Sequence, residues 1–381
     1  MNMSFHFFLL LFIVVAMPLL QTSASDIVKT ESKCTKPPKQ LDELIFRFKA
    51  CGWVFSPPVV SGDVVFVGAS CAGPPNFYAL DKKSGDLLWD FRANGAMVSS
   101  PLVVDEMVFG TSRGGQVFAL DKDSGSVIWR FETEGWVNAD AILIDEHLFV
   151  GCGSGVFYML DAVSGREVWR EDLGLPIYNP CIAEQDTVIV SAGDTSNGLI
   201  VNYEILNGRE VWRMEFEFPF NSRPTSKGDY IFLSSGSKLY KISVELRNVV
   251  DVFDLSGKVN GITVLDDDLV LVGVEMDLVL FDLERREAVW MFSTDGRIGN
   301  PTIDEGIVYV GSEDNHLYAV SLETGEELGR FRAGNGIPSR PYVSDGIVYF
   351  GSYDMHLYAV GDSETADQSG KSGTDPRKSG Q

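Results

Sequence analysis

The stretch Tyr78-Ala79-Leu80-Asp81-Lys82-Lys83-Ser84-Gly85-Asp86-Leu87-Leu88-Trp89-Asp90-Phe91 decides the fold, because the chain repeats it. Forty residues on, Phe118-Ala119-Leu120-Asp121 leads through Ser124-Gly125 to Trp129-Arg130-Phe131. After forty more, Tyr158-Met159-Leu160-Asp161 leads through Ser164-Gly165 to Trp169. Weaker copies begin at Val201 (with Gly208 and Trp212), Tyr240, Val279 (with Trp290), Tyr318 (with Gly325) and Tyr358. Successive starts lie 39 to 43 residues apart, a period that marks an array of supersecondary units.

Each copy reads as four short strands. In the first, Pro58-Val59-Val60 precedes a Ser61-Gly62-Asp63 turn and Val64-Val65-Phe66-Val67. A loop then leads to Phe77-Tyr78-Ala79-Leu80, and the Asp81-to-Gly85 turn to Leu87-Leu88-Trp89-Asp90-Phe91. These runs are rich in β-branched and aromatic residues and are bounded by Gly, Ser, Asp and Pro. In the turn, the Asp carboxylate caps local amides while Gly takes positive φ without steric cost. Trp89, Trp129, Trp169, Trp212 and Trp290 are expected to bury a large ring between neighbouring units. Asp251 and Gly329 stand in that position in the fifth and seventh copies, and Arg247 and Arg286 replace the turn glycine in the fifth and sixth. Those units are expected to be less regular.

Four-stranded units at this period predict a β-propeller, whose radial repetition leaves only short edges. The last copy stops after its third strand at Val360, and an extra segment, Leu44-Ile45-Phe46-Arg47-Phe48, precedes the first. Its Phe46-Arg47-Phe48 matches Trp89-Asp90-Phe91, so it supplies the missing fourth strand. The expectation is an all-β, eight-bladed propeller over residues 44–361, closed by the N-terminal strand.

The Tyr-Ala-Leu-Asp, Ser-Gly and Trp-x-Phe pattern resembles the PQQ-like, or quinoprotein alcohol dehydrogenase-like, propeller repeat over residues 45–360. The layout is also similar to that of the propeller lipoproteins of outer-membrane assembly, although no lipidation cysteine is present. The resemblance implies the fold strongly and the activity weakly, because propellers host many functions. Quinoprotein members hold PQQ under a vicinal Cys–Cys disulfide, with a Glu/Asn/Asp set for Ca²⁺ and a catalytic Asp. This chain has no adjacent cysteines and lacks the insertions that build a quinone chamber; Asp140 and Asn179 alone do not make that site.

The chain has 381 residues, 45% of them hydrophobic and 22% charged, with 54 Asp+Glu against 31 Lys+Arg for a net charge of −23. That deficit excludes nucleic acid as a natural partner, since phosphate contact requires surplus Lys and Arg. Phe7 to Leu20 is an apolar run of 14 residues, short for a membrane span and followed by small residues at Ser23, Ala24 and Ser25. Residues 1–25 therefore read as a secretory signal, with a retained anchor as the alternative, and no later segment is long enough to span a bilayer. Residues 26–43 read as a linker, and the Gly-, Ser- and charge-rich 362–381 as a disordered tail.

In a propeller, the loop leading into each blade and the loop between its second and third strands open on one face. Cys51, Cys71 and Cys152 fall on such loops and Cys181 begins the first strand of blade four, so all four lie toward one face, which predicts Cys51–Cys71 and Cys152–Cys181 bridges and leaves Cys34 odd. Buried thiols are the alternative reading. At the start of each innermost strand, the residue before a frequent Pro gives a ring around the channel: Ser56, Ser100, Asp140, Asn179, Arg223, Gly261, Asn300 and Arg340. Trp136 and Tyr178 come slightly earlier on their loops. Arg223 and Arg340 beside Asn and Ser donors suit an anion or carboxylate, unless these groups satisfy one another and channel water. His316 and His356 repeat at matching positions but lie a blade apart, too far for a shared metal.

These readings favour a monomeric, non-catalytic extracytoplasmic platform for a protein partner, with Trp53, Trp136, Phe218 and Phe220 as exposed contacts. The alternatives are a PQQ- and Ca²⁺-dependent dehydrogenase, and a binder of a small ligand or glycan in the channel.

Overall fold

The computed structural model describes residues 41, 43–178, 182–184, 186–220 and 222–361. They form 32 strands, and no helix occurs among them. The first blade is β2 (Val59–Ser61), β3 (Val64–Gly68), β4 (Phe77–Asp81) and β5 (Leu87–Phe91), paired antiparallel in chain order. Six further four-stranded blades follow, spanning 102–132, 142–172, 182–216, 225–254, 259–293 and 302–332. The eighth joins β30 (Tyr342–Ser344), β31 (Ile347–Gly351) and β32 (His356–Gly361) to β1 (Glu43–Lys49) from the other end of the chain. The chain therefore closes an eight-bladed ring as the sequence predicts.

The core is divided among the blade interfaces. Eight hydrophobic clusters occur, one at each junction of adjacent blades; Phe66, Phe77 and Trp89 of blade 1, for example, meet Val108, Phe118 and Leu120 of blade 2. Second and third strands are buried on both faces, so β4 reads Phe-Tyr-Ala-Leu without polar alternation. Outer strands alternate, as in the buried Trp89, exposed Asp90 and buried Phe91 of β5.

One contact recurs around the ring. In blades 2, 3, 4 and 7 the turn glycine sits against the tryptophan of the preceding blade: a Cβ on Gly125 would lie 2.7 Å from Trp89, and one on Gly325 2.7 Å from Trp290. Gly125 and Gly325 have φ of +69° and +73°, so two constraints, steric and torsional, demand glycine there. The indole N–H of Trp89, Trp129, Trp169 and Trp290 donates to Lys122 O, Ala162 O, Ile205 O and Leu322 O, each at 2.9 Å. Asp81, Asp121 and Asp161 accept the Ser84, Ser124 and Ser164 amides at 2.7–2.8 Å, which holds the glycine turns in shape.

Closure copies this lock with different atoms. Phe46 pairs with Ala359 as Trp89 pairs with Ala79, including the one-residue bulge beside it. Its ring occupies the space that a Cβ on Gly85 would need. Phe46 has no N–H, and Lys82 O, which corresponds to Lys122 O, instead accepts the Tyr349 hydroxyl at 3.1 Å.

The fifth to seventh blades each keep four paired strands, and the expected irregularity is confined to a bulge between Val259 and Gly261 in the first strand of the sixth. Compensation explains this. Arg286 holds the turn at φ +59° and reaches back to Asp251, with Nη1 2.9–3.0 Å from both carboxylate oxygens. Its Nη2 donates to Val252 O at 2.7 Å, and the guanidinium lies 4.6 Å from the Phe253 ring centroid. An ion pair thus occupies the place of the Trp–Gly contact. At the seventh blade, Leu41 packs beside Gly329 and is itself buried.

Candidate functional site: the loop face and the channel mouth

Loops leading into the blades and loops between second and third strands share one face, and blade 1 shows how it is built. Trp53 O accepts the Ser70 amide at 2.8 Å, and the Val54 amide reaches Ser352 O of blade 8 at 3.2 Å. Cys51 and Cys71 form a disulfide between the same two loops, with Cα atoms 6.0 Å apart, as predicted. The Cys152–Cys181 bridge is not formed: Cys152 is a free, fully buried thiol whose Sγ lies 3.3 Å from Val156 O and 3.0 Å from Ser154 Oγ. It fills space as a small apolar residue does. Cys181 and Asn179 lie outside the described residues, as do Cys34, residues 1–25 and residues 362–381.

The aromatic residues divide into two groups. Trp53 is 50% exposed, yet its ring is held edge-on by Phe55 and Tyr353, both 5.9 Å away, which themselves meet at 5.3 Å. Trp136 lies flat over Gly153, where a Cβ would collide with the indole, and meets Tyr178 at 5.0 Å. Tyr178 is 49% exposed. Phe218 and Phe220, by contrast, are not free contacts. They pack on buried Phe216 at 5.2 and 5.3 Å, and Phe218 stacks on Tyr240 at 4.7 Å. Phe55 and Tyr353 escaped sequence reasoning because 298 residues separate them. Ring closure, which sets the last blade's loop against the first blade's, was the available signal.

At the channel, a buried serine stands behind several of the ring positions. Ser99 Oγ meets Thr111 Oγ1 at 2.6 Å, Ser222 Oγ accepts the Ser234 amide at 3.1 Å, and Ser339 Oγ accepts the Gly351 amide at 2.6 Å. Each clamp ties a loop to the second strand of its own blade, so the next residue points into the channel. Ser56 belongs to this buried set, donating to Ser99 O at 2.8 Å, and Pro57 takes the channel position. The ring expected from sequence is corrected there. The Pro57-Pro58 pair caused the error, since either proline can start the strand.

Three ring members meet directly. Asp140 accepts the Ser100 amide at Oδ1 and pairs with Arg223 Nη2 at Oδ2, both at 2.7 Å. Asn300 leans across Gly261, filling the volume that a Cβ would occupy. Arg340 Nε donates to Thr302 Oγ1 at 3.2 Å, and that hydroxyl donates to Pro341 O at 2.6 Å. Burial and the charge of Arg223 press the Arg340 guanidinium below its ordinary pKa, with Asp140 opposing. Arg340 nevertheless keeps an open, water-facing surface. A side chain hemmed in on its flanks and wet at its tip is what a narrow channel produces.

His316 and His356 open the third strands of their blades and turn to the preceding tight turn: His316 Nδ1 lies 3.2 Å from Asp314 Oδ1, and His356 Nδ1 2.9 Å from Asp354 O. Among the described residues, no three His, Cys, Asp or Glu side chains are placed to hold one metal ion. The donor set at the channel mouth does not fit Ca²⁺ and PQQ. Among the described residues its one carboxylate is already engaged by Ser100 and Arg223, two guanidinium groups oppose a divalent cation, and the disulfide joins cysteines 20 residues apart.

Among solved structures, the chain is similar to BamB from Moraxella catarrhalis (17% identity, TM-score 0.68, covering 84% of this chain and 99% of that one). It is also similar to the quinohemoprotein alcohol dehydrogenase ADHIIG from Pseudomonas putida HK5 (13%, TM-score 0.70, 84% and 76%). A third is Sqt1 from Saccharomyces cerevisiae (11%, TM-score 0.71, 84% and 98%). At these identities the likeness concerns the fold. No curated protein sequence matches significantly. The family model described as "Outer membrane protein assembly factor BamB" matches residues 49–141, 119–215, 196–328 and 275–369. Together these segments run the length of the ring, and the chain belongs to this PQQ-like propeller family.

Proposed function

We propose that this protein is a non-catalytic, extracytoplasmic propeller whose loop face binds a protein partner. The observation that carries the reading is the Trp53–Phe55–Tyr353 cluster. A half-exposed indole is fixed by two neighbours from opposite ends of the chain, so it offers contact area at little entropic cost. The Trp136–Tyr178 pair gives the same face a second aromatic anchor. Family membership supports the reading, since the family description names an assembly factor and not an enzyme. The disulfide supports an oxidising compartment, where such bonds form and persist. The channel's donor set argues against a quinone-dependent dehydrogenase.

The test is capture of a stoichiometric partner from the native envelope or medium by the wild-type chain, Trp53→Ala and Tyr178→Ala. Loss of the partner in either variant, with unchanged melting, supports the platform. Equal recovery by all three chains refutes the assignment of this face.

A further inference from the structure

We propose that the mouth of the central channel is a carboxylate-binding site, with Arg340 as its principal donor and Arg223 as the second positive charge. The inference does not depend on which protein the loop face binds.

The argument begins with charge. The described ring positions hold two guanidinium groups and one carboxylate, an excess of one positive charge in a chain whose net charge is −23. Asp140 has little left to give, because Ser100 N and Arg223 Nη2 take one oxygen each at 2.7 Å. Among the described residues no carboxylate reaches Arg340 within ion-pair distance. Its hydrogen bond to Thr302 uses only Nε, and among the described residues neither Nη group has an acceptor. A guanidinium held beside a like charge with its tip open to the channel is a ready partner for an anion.

Geometry makes Arg340 a receptor rather than a loose surface charge. The Ser339 clamp fixes its backbone and Thr302 fixes its Nε, so the terminal fork is held facing the channel. Two parallel N–H groups on a planar fork match the two oxygens of a carboxylate. Charge count separates anions as well. One negative charge neutralises the excess, whereas sulfate or phosphate would overshoot and face Asp140. The same carboxylate chemistry can come from a free organic acid or from an acidic side chain of a peptide.

The full chain would be titrated by calorimetry and NMR with sodium acetate, with acetyl-Gly-Asp-Gly-amide and its Asn counterpart, and with sodium sulfate at matched ionic strength. Saturable acetate binding supports the proposal if it is lost in Arg340→Gln and weakened about tenfold in Arg340→Lys, which keeps the charge but not the fork. Asp140→Asn should tighten binding by about tenfold, since it removes the competing charge. Should only the Asp peptide bind, with the same dependence on Arg340 and Asp140, a peptide carboxylate is the natural ligand. Sulfate binding as tightly as either probe, indifference to Arg340→Lys, or no saturation by acetate or peptide overturns the site. If Arg340→Gln fails to melt cooperatively, Arg340→Lys and Asp140→Asn still decide.

Discussion

Tyr349→Phe should weaken the closure of the ring, and Phe46→Trp should repair the damage. At four other junctions an indole N–H satisfies a backbone carbonyl of the next blade at 2.9 Å. At the closing junction Phe46 has no such group, and the Tyr349 hydroxyl, two strands away on β31, serves Lys82 O at 3.1 Å. Tyr349 has no measurable exposure, so water cannot readily replace the lost hydroxyl. Leaving a buried carbonyl unpaired costs about 1–3 kcal/mol. For a ring of this size that corresponds to a melting temperature lower by roughly 1.5–4.5 °C. Phe46→Trp alone should also destabilise, because the larger ring competes with the tyrosine hydroxyl for one space. Combined with Tyr349→Phe, however, it rebuilds the lock of the other junctions and should recover most of the loss. Calorimetric melting of the four chains gives a double-mutant cycle with a favourable coupling. Two results would refute the reasoning: an unchanged melting temperature in Tyr349→Phe, or additive losses in the double variant.

Reduction of Cys51–Cys71 should lower unfolding free energy by about 3 kcal/mol, the loop-closure value for bridged residues 20 apart, as read from urea melts with and without dithiothreitol. Gly125→Ala should cost at least about 1–2 kcal/mol in the same melts, because φ is +69° and the new methyl meets Trp89 at 2.7 Å. Hydrogen bonds from Ser84, Ser124 and Ser164 hold the carboxyls of Asp81, Asp121 and Asp161 below their ordinary pKa. Their contribution to stability is therefore complete above the ordinary carboxylate range, near about pH 4, and is lost as pH falls through the lowered values. Asp121→Asn should flatten the acid limb of a stability-against-pH curve; an unchanged limb would discount the turn.

The ring was legible in the sequence because its signal is repeated. Residues at one position of each copy report the same environment, so Trp89, Trp129, Trp169 and Trp290 identify the interface together, and Phe46 identifies closure by matching them. The channel ring was readable for the same reason, except where Pro57-Pro58 made the register ambiguous by one residue and where a bulge draws Gly261 into the first strand of the sixth blade. Contacts that depend on three-dimensional proximity alone were not readable. Nothing local distinguishes exposed Trp53 from packed Phe218: both are aromatic residues on inter-blade loops, and only the positions of Phe216 and Tyr240 decide the second. Cys152 misled in a similar way. Loop position placed it near Cys181, but its thiol turns inward to Val156 O.

The departures from the repeat differ in kind, and that difference locates the protein's individuality. A blade interface has two sides that must fit, so a change on one side survives when the other side answers it. Asp251 in the tryptophan position faces Arg286 in the glycine position; Phe46 without an N–H faces Tyr349 with an O–H. Such pairs restore an interface and add no new chemistry. The channel positions obey no matching rule of this kind, because buried serines behind several of them fix the backbone whatever side chain follows. Pro57, Ser100, Asp140, Arg223, Asn300 and Arg340 each stand two residues before the first strand of their blade, with charges of both signs and neutral donors among them. Fixed direction with free chemistry is what a recognition site requires, and it is why the mouth of the channel is where a ligand should be sought.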